Sequence, residues 1–357
     1  MRRLRVTSAI AAFAAMALIV AACSSDSKTT ASNASSSAGG ALKGKGTKIG
    51  LIYDTTGRGD KSFNDSAAAG LDKGKTELGV ETKDLTPSSG GENREELLKL
   101  LTTDGFPLIF AVGFLFGDSV TAVSKANPNT QYAIIDSVVD APNVTSLTFA
   151  EEQGSYLVGA AAAIKSKTGK IGFVGGVNTP LIKKFEAGYV AGAKKINPSI
   201  QVQIKYLTEP PDFTGFSDPA KGSEAALGMY SAGADIVYHA AGGSGVGVFQ
   251  AAKQASAGGT KVFAIGVDSD QYNSVGDPTL QPFILTSMEK HVNVAVFDTI
   301  NDFVNGTLAK GTNKVFDLKN DGVGYSTSGG LIDDIKAQLD ALKADIISGK
   351  IIVPTTP

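Results

Sequence analysis

With two histidines and one cysteine, this 357-residue sequence has few residues suited to covalent or metal chemistry. Neither His239 nor His291 stands at i, i+3 or i+4 from a second ligand type in a recognisable metal site, and no nucleophile–base pair is visible. The expectation is a protein that is not an enzyme and has no catalytic residue, metal or cofactor. The run Gly242-Gly243-Ser244-Gly245-Val246-Gly247 follows a predicted strand, yet its spacing fits neither the phosphate loop nor the dinucleotide fingerprint. It reads equally as a turn that lets the Gly243 region bring backbone amides to a ligand and as a plain strand–helix turn.

The remaining chemistry is non-covalent binding. Lys48 to Asn64 begins as a short apolar run ending at Tyr53 and passes through a glycine-interrupted polar loop into a helical pattern. In open α/β sheets ligands sit outside the carboxyl ends of strands, which is where Tyr53, Asp54 and Asn64 fall. Tyr238 ends a second apolar run, so the two tyrosines are candidates to stack on a flat ligand from opposite sides; a tyrosine at a strand end also serves as core packing. Asp54, Asn64 and Asp136 offer donors and acceptors for a heterocycle edge, although Asn64 equally suits a helix cap. Asp136 also reads as a solvated loop acid. Asp268 follows a strand and can accept from two adjacent hydroxyls. Lys290 opens a predicted helix, where the dipole mildly disfavours a cation, so a ligand contact competes there with a surface lysine. Arg58 and Lys61 read as solvated, or as a clasp on a closed cleft.

These residues are positioned by an alternation of strands and helices. Helices are predicted over 64–78, 92–103 and 118–126 between strands at 80–85, 108–112 and 132–135, and strand 144–149 leads into a helix over 151–166. A second unit repeats the logic from Lys170 to Ile265. Such alternation means parallel sheets flanked by helices. The expected domains are an N-terminal lobe of residues 47–148 plus 276–310 and a C-terminal lobe of 149–275 plus 311–357. Phe283–Ser287 and the helix after it are expected to return to the first lobe, giving three interlobe crossings.

Ahead of the lobes, residues 1–22 carry Arg2, Arg3 and Arg5 without an acid, then an apolar run too short for a comfortable membrane span, the pattern of a secretory signal. Cys23 follows Val20-Ala21-Ala22 and precedes a Ser/Ala/Gly-rich tract with no core to bury a thiol. It is the expected lipidation site. Two or more acyl chains, at about 0.8 kcal/mol per buried methylene, suffice for stable anchoring. Residues 24–46 then form a tether. Loss of the leader takes three arginines from 33 basic residues, leaving 30 against 35 acidic and a net charge of −5. No basic surface for nucleic acid is expected.

The pattern Tyr53-Asp54, two glycines around Arg58, then Asp60-Lys61-Ser62-Phe63-Asn64 resembles the basic membrane protein family, nucleoside-binding lipoproteins of ABC importers. Asp218-Pro219-Ala220-Lys221-Gly222, His239-Ala240-Ala241-Gly242-Gly243, Gly266 to Gln271 and Thr286 to Lys290 agree with it, so the resemblance runs from about residue 47 to 330. It implies an α/β, two-lobe type I periplasmic-binding-protein fold. It also implies a monomer, lipid-anchored on the extracytoplasmic face of the cell membrane, that delivers nucleosides, with purines favoured, to an ABC permease. On the resemblance the ligand contacts are Tyr53, Asp54, Ser62, Phe63, Asn64, Asp136, Tyr238, Gly243, Asp268 and Lys290, with aromatics holding the base and Asp268 and Lys290 the ribose. A sugar or other small-solute receptor of the same fold, and a surface interaction protein, are the alternatives.

Overall fold

The computed structural model describes residues 42–88 and 91–357. Leader, Cys23 and most of the tether lie outside them. The first sheet contains β1 (Lys48–Ile52), β2 (Glu81–Leu85), β3 (Leu108–Ala111), β4 (Gln131–Ile135), β5 (Val144–Phe149) and β11 (Thr312–Phe316), in the order β11-β5-β4-β3-β1-β2. The second contains β6 (Lys170–Val177), β7 (Gln201–Thr208), β8 (Ile236–Ala240), β9 (Phe263–Asp268), β10 (Ile284–Lys290) and β12 (Val323–Tyr325), in the order β12-β10-β9-β8-β6-β7. Each sheet is thus wound the same way, its first strand lying between its second and third. All pairings are parallel except β10 with β12. Central strands β3, β4 and β8 are buried along their whole length, because helices cover both faces and leave no side for polar alternation.

The helices include α1 (Phe63–Lys73), α2 (Arg94–Thr103), α3 (Gly117–Ala126), α4 (Glu151–Lys165), α5 (Pro180–Ile196), α6 (Pro219–Ser231), α7 (Gly245–Ser256), α8 (Gln271–Ser274), α9 (Val292–Asn305) and α10 (Lys336–Ile347). Thr179 and Asp218 cap α5 and α6 by accepting from Ile182 N–H and Lys221 N–H, each followed by a proline that needs no N–H partner. The chain passes from the first sheet to the second between β5 and α4. It passes back between β10 and α9, which packs on α1, and crosses a third time between β11 and β12. This is the two-lobe type I periplasmic-binding-protein fold with three crossings.

Two segments change sides relative to the sequence reading. Residues 283–287 do not return to the first lobe: Phe283 ends the turn that leads into β10, and 284–287 belong to β10 itself, which is buried between β9 and β12 in the second sheet. The return comes after Lys290. Conversely, residues 312–316, expected in the C-terminal lobe, form β11 on the edge of the first sheet. β11 is a largely exposed Thr-Asn-Lys-Val-Phe strand, which offers no apolar run to read.

Candidate ligand-binding cleft

The carboxyl ends of the two sheets face each other across a cleft. From the first lobe it is lined by Asp54, Thr55, Thr56, Asp60, Phe63 and Asn64 after β1, by Gly113 and Phe114 after β3, and by Asp136 after β4. The second lobe adds Leu181, Ile182 and Phe185 of α5, Phe216, Ala240 ending β8 and Ala241–Gly243 in the turn after it, Val267 and Asp268 of β9, and Lys290 closing β10. The side walls are therefore aromatic and aliphatic, while carboxylates stand at the strand ends. Asp136 and Asp268 occupy corresponding places in the two sheets, one ending β9 and the other just past β4, and both adopt left-handed backbone, with φ of 67° and 65°. Such strain in non-glycine residues persists only where the surroundings hold it, and it clusters at ligand sites.

The loops are also tied to each other across the cleft. Lys61, itself at φ 58°, accepts at its carbonyl from Gln271 Nε2 (2.9 Å) and Ser274 Oγ (3.2 Å). The Ser62 carbonyl accepts from Ser269 Oγ at 3.2 Å, and Ser62 Oγ donates to Asp268 Oδ2 at 2.6 Å. The first-lobe loop keeps its shape through Asp60, whose carboxylate accepts from the N–H groups of Ser62, Asn64 and Asp65 and so caps α1.

At the floor, Lys290 Nζ lies 2.6 Å from Asp136 Oδ2 and 3.3 Å from Glu151 Oε1, with the rings of Phe63 and Phe149 about its ammonium at 5.0 and 4.9 Å. Burial alone would lower the Lys290 pKa, but the surrounding carboxylates of Asp136, Glu151 and Asp268 outweigh it and keep the amine protonated. Burial pushes the Asp136 carboxyl up against the pull of Lys290, and Glu151 adds to the push. Asp268 is raised by burial, opposed by Lys290 and by the Ser62 hydroxyl. Asp60 is pushed up to about 6 by burial despite its three backbone donors. Burial also raises Asp54, whose Oδ1 accepts from Thr55 N–H at 2.8 Å and lies 3.7 Å from the Arg94 guanidinium. The cleft thus offers many acceptors and one ammonium already engaged by two carboxylates. It suits an uncharged ligand with a flat apolar face and several hydrogen-bond donors.

Residues 47–357 match the family model described as "ABC transporter substrate-binding protein PnrA-like". The chain belongs to this family. It is 38% identical over 320 residues to the ABC transporter nucleoside-binding protein BmpA of Lactococcus lactis subsp. cremoris, covering 86% of this chain and 89% of that protein. It is 37% identical to basic membrane protein A1 of Borrelia garinii subsp. bavariensis, over 89% of this chain and 91% of that one. Among solved structures, an ABC transporter solute-binding protein from Aeropyrum pernix superposes with a TM-score of 0.75 at 30% identity, covering 86% of this chain and 94% of that chain. Among the described residues, no helix is long and apolar enough to cross a membrane.

The family membership does not carry every expected contact. Asp54, Phe63, Asn64, Asp136, Gly243, Asp268 and Lys290 are brought together on the cleft. Ser62 stands behind it as the hydroxyl partner of Asp268. Asn64 lines the wall, but its amide is spent on the loop: Oδ1 accepts from Asp54 N–H, and Nδ2 donates to Asp60 and Thr56. The two tyrosines do not form a stacking pair. Tyr53 turns towards β2, donates to Asp84 Oδ2 at 2.7 Å and lies under the Arg58 guanidinium. Tyr238 is buried against Phe173 and Tyr189, with ring centroids at 5.6 and 5.0 Å, and its hydroxyl meets Ser155 Oγ. Side chains of a strand alternate between faces, so a place at the strand's end does not aim a ring into the cleft. The aromatic lining is Phe63, Phe114, Phe185 and Phe216 instead. Asp60 and three of these phenylalanines were missed. Asp60 carried a readable cap signal ahead of the helix, whereas Phe114, Phe185 and Phe216 lie in helical turns with no local marker.

Proposed function

We propose that this substrate-binding protein captures nucleosides, purines among them, and presents them to an ABC permease as a lipid-anchored monomer. The observation that carries the reading is the joining of four phenylalanines to the paired carboxylates Asp136 and Asp268 in one cleft. Aromatic faces stabilise a base from above and below by roughly 1–3 kcal/mol per contact. The carboxylates accept from the ribose hydroxyls, and Lys290 offers an N–H that Asp136 does not take. The name of the Lactococcus relative, a nucleoside-binding protein, supports the same ligand class.

Calorimetry on refolded, ligand-free protein with nucleosides, free bases and sugars tests this. Nucleosides are expected to bind far better than their bases. Asp268→Ala should weaken nucleoside binding about tenfold to a hundredfold, the effect of leaving buried polar groups unpaired, while scarcely moving base binding. A sugar bound in preference to every nucleoside would overturn the assignment. Anchoring is assigned to Cys23, and Cys23→Ala should release the protein from the membrane fraction with its affinity intact. A membrane-bound pool undiminished by the substitution would refute the anchor.

A further inference from the structure

Glu151 is the first residue of α4, one position after the first crossing, and its side chain is 1% exposed. It lies off the cleft lining. Its carboxylate reaches two cations from different elements: Oε1 is 3.3 Å from Lys290 Nζ at the end of β10, and Oε2 is 3.2 Å from Lys184 Nζ on α5. The crossings are bound together here, since Ala150 N–H donates to the Phe316 carbonyl at 2.9 Å and the Phe149 and Phe316 rings stack at 5.1 Å.

We propose that Glu151 is a positioning residue for ligand capture, acting through Lys290 from the hinge without touching the ligand. The inference rests on the reading of the cleft as a nucleoside site. An ammonium has three N–H donors on a freely rotating stem. Asp136 accepts one of them, and the Glu151 carboxylate, whose Oε1 stands 3.3 Å away without accepting a hydrogen bond, attracts the ammonium from its other side and so limits where the remaining two can point. Without the Glu151 charge, the ammonium is free to swing between Asp136 and Asp268, and the ligand loses an oriented partner. A second consequence follows from charge. Asp136 is faced by Lys290, Glu151 and Asp268, and Glu151 by Lys290, Lys184 and the adjacent Glu152. Neutralising Glu151 removes a push on the Asp136 carboxyl, so the pH at which Asp136 titrates should fall.

The test is a double-mutant cycle with inosine as the probe: native protein, Glu151→Gln, Lys290→Met and both together, by calorimetry from about pH 5 to about pH 8, with thermal unfolding of each ligand-free protein. Glu151→Gln should weaken inosine binding about tenfold in the native background and by less than about twofold in the Lys290→Met background. The pH at which its affinity turns over should also move to the acid side. Equal losses in the two backgrounds, or an unchanged affinity and pH profile, would overturn the inference alone. If Lys290→Met does not fold, the pH profile of Glu151→Gln decides by itself. If Glu151→Gln does not fold, Glu151→Asp does: it keeps the charge but is too short to span both lysines, so native affinity in that variant overturns the inference. Absence of nucleoside binding by the native protein would overturn the reading of the cleft and the inference with it.

Discussion

His239 is wholly buried beside the cleft wall, its ring edge-on to Phe249 at 5.2 Å, and among the described residues neither ring nitrogen has a hydrogen-bond partner. Burial lowers its pKa to about 3 from the ordinary 6.5, so the fold holds neutral imidazole. Between those values the unfolded chain binds a proton that the folded chain does not. Stability therefore rises with pH across this window and is lost as pH falls through it, at up to about 1.4 kcal/mol per pH unit. Urea unfolding should show the advantage of the native protein over His239→Asn shrinking by about 2 kcal/mol between pH 6.5 and pH 5. An advantage that stays constant would mean that the imidazole charges in place. Gly245 belongs to the same packing: a Cβ there would enter the His239 ring. None of this was legible in the sequence, where His239 was only a histidine without a metal partner. Asp136 and Asp268 were legible because a strand's carboxyl end fixes where a residue's backbone lies, whereas Lys290, expected to open a helix, closes β10 instead. Tyr53 and Tyr238 were not, because the face a ring takes is settled by its neighbours Asp84, Tyr189 and Ser155.

Strand and helix alternation made most elements readable, since parallel sheets covered on both faces need continuous apolar strands. At two of the four edges that signal fails, in the largely exposed β11 and the three-residue β12, while the edge strands β2 and β7 were read. Losing β11 displaced the last crossing by a whole element. The close seating of α4 on α5 was also hidden. A Cβ at Gly188 would land on the Glu152 carbonyl, at Gly192 on the Tyr156 carbonyl and at Gly159 on the Tyr189 carbonyl. These glycines let two backbones approach within a side chain's thickness. That contact matters for the cleft, because α4 begins with Glu151 and α5 carries Phe185 and Lys184. One ring of the aromatic wall, Phe185, and one flank of the floor, Glu151, are thereby set by one helix pair.

At the scale of the whole molecule, the two lobes are joined by the crossings and by the loops that meet over the cleft. The loop contacts exist only when the lobes are together, so they should govern how long a ligand stays rather than how fast it arrives. Two of them are single hydroxyl donors to first-lobe carbonyls, Ser269 Oγ to Ser62 and Ser274 Oγ to Lys61. A neutral hydrogen bond contributes about 0.5–1.5 kcal/mol, so removing either should speed dissociation about twofold to tenfold. Because the two sites contact adjacent residues of one loop, the effects of Ser269→Ala and Ser274→Ala are coupled, and the double variant should depart from the product of the two. Stopped-flow measurement of nucleoside release and association checks this. Faster release with an unchanged association rate is the expected pattern. If both rates stay native in the double variant, these hydroxyls do not hold the cleft shut, and closure rests on the crossings, the Gln271–Lys61 bond and the Ser62–Asp268 bond.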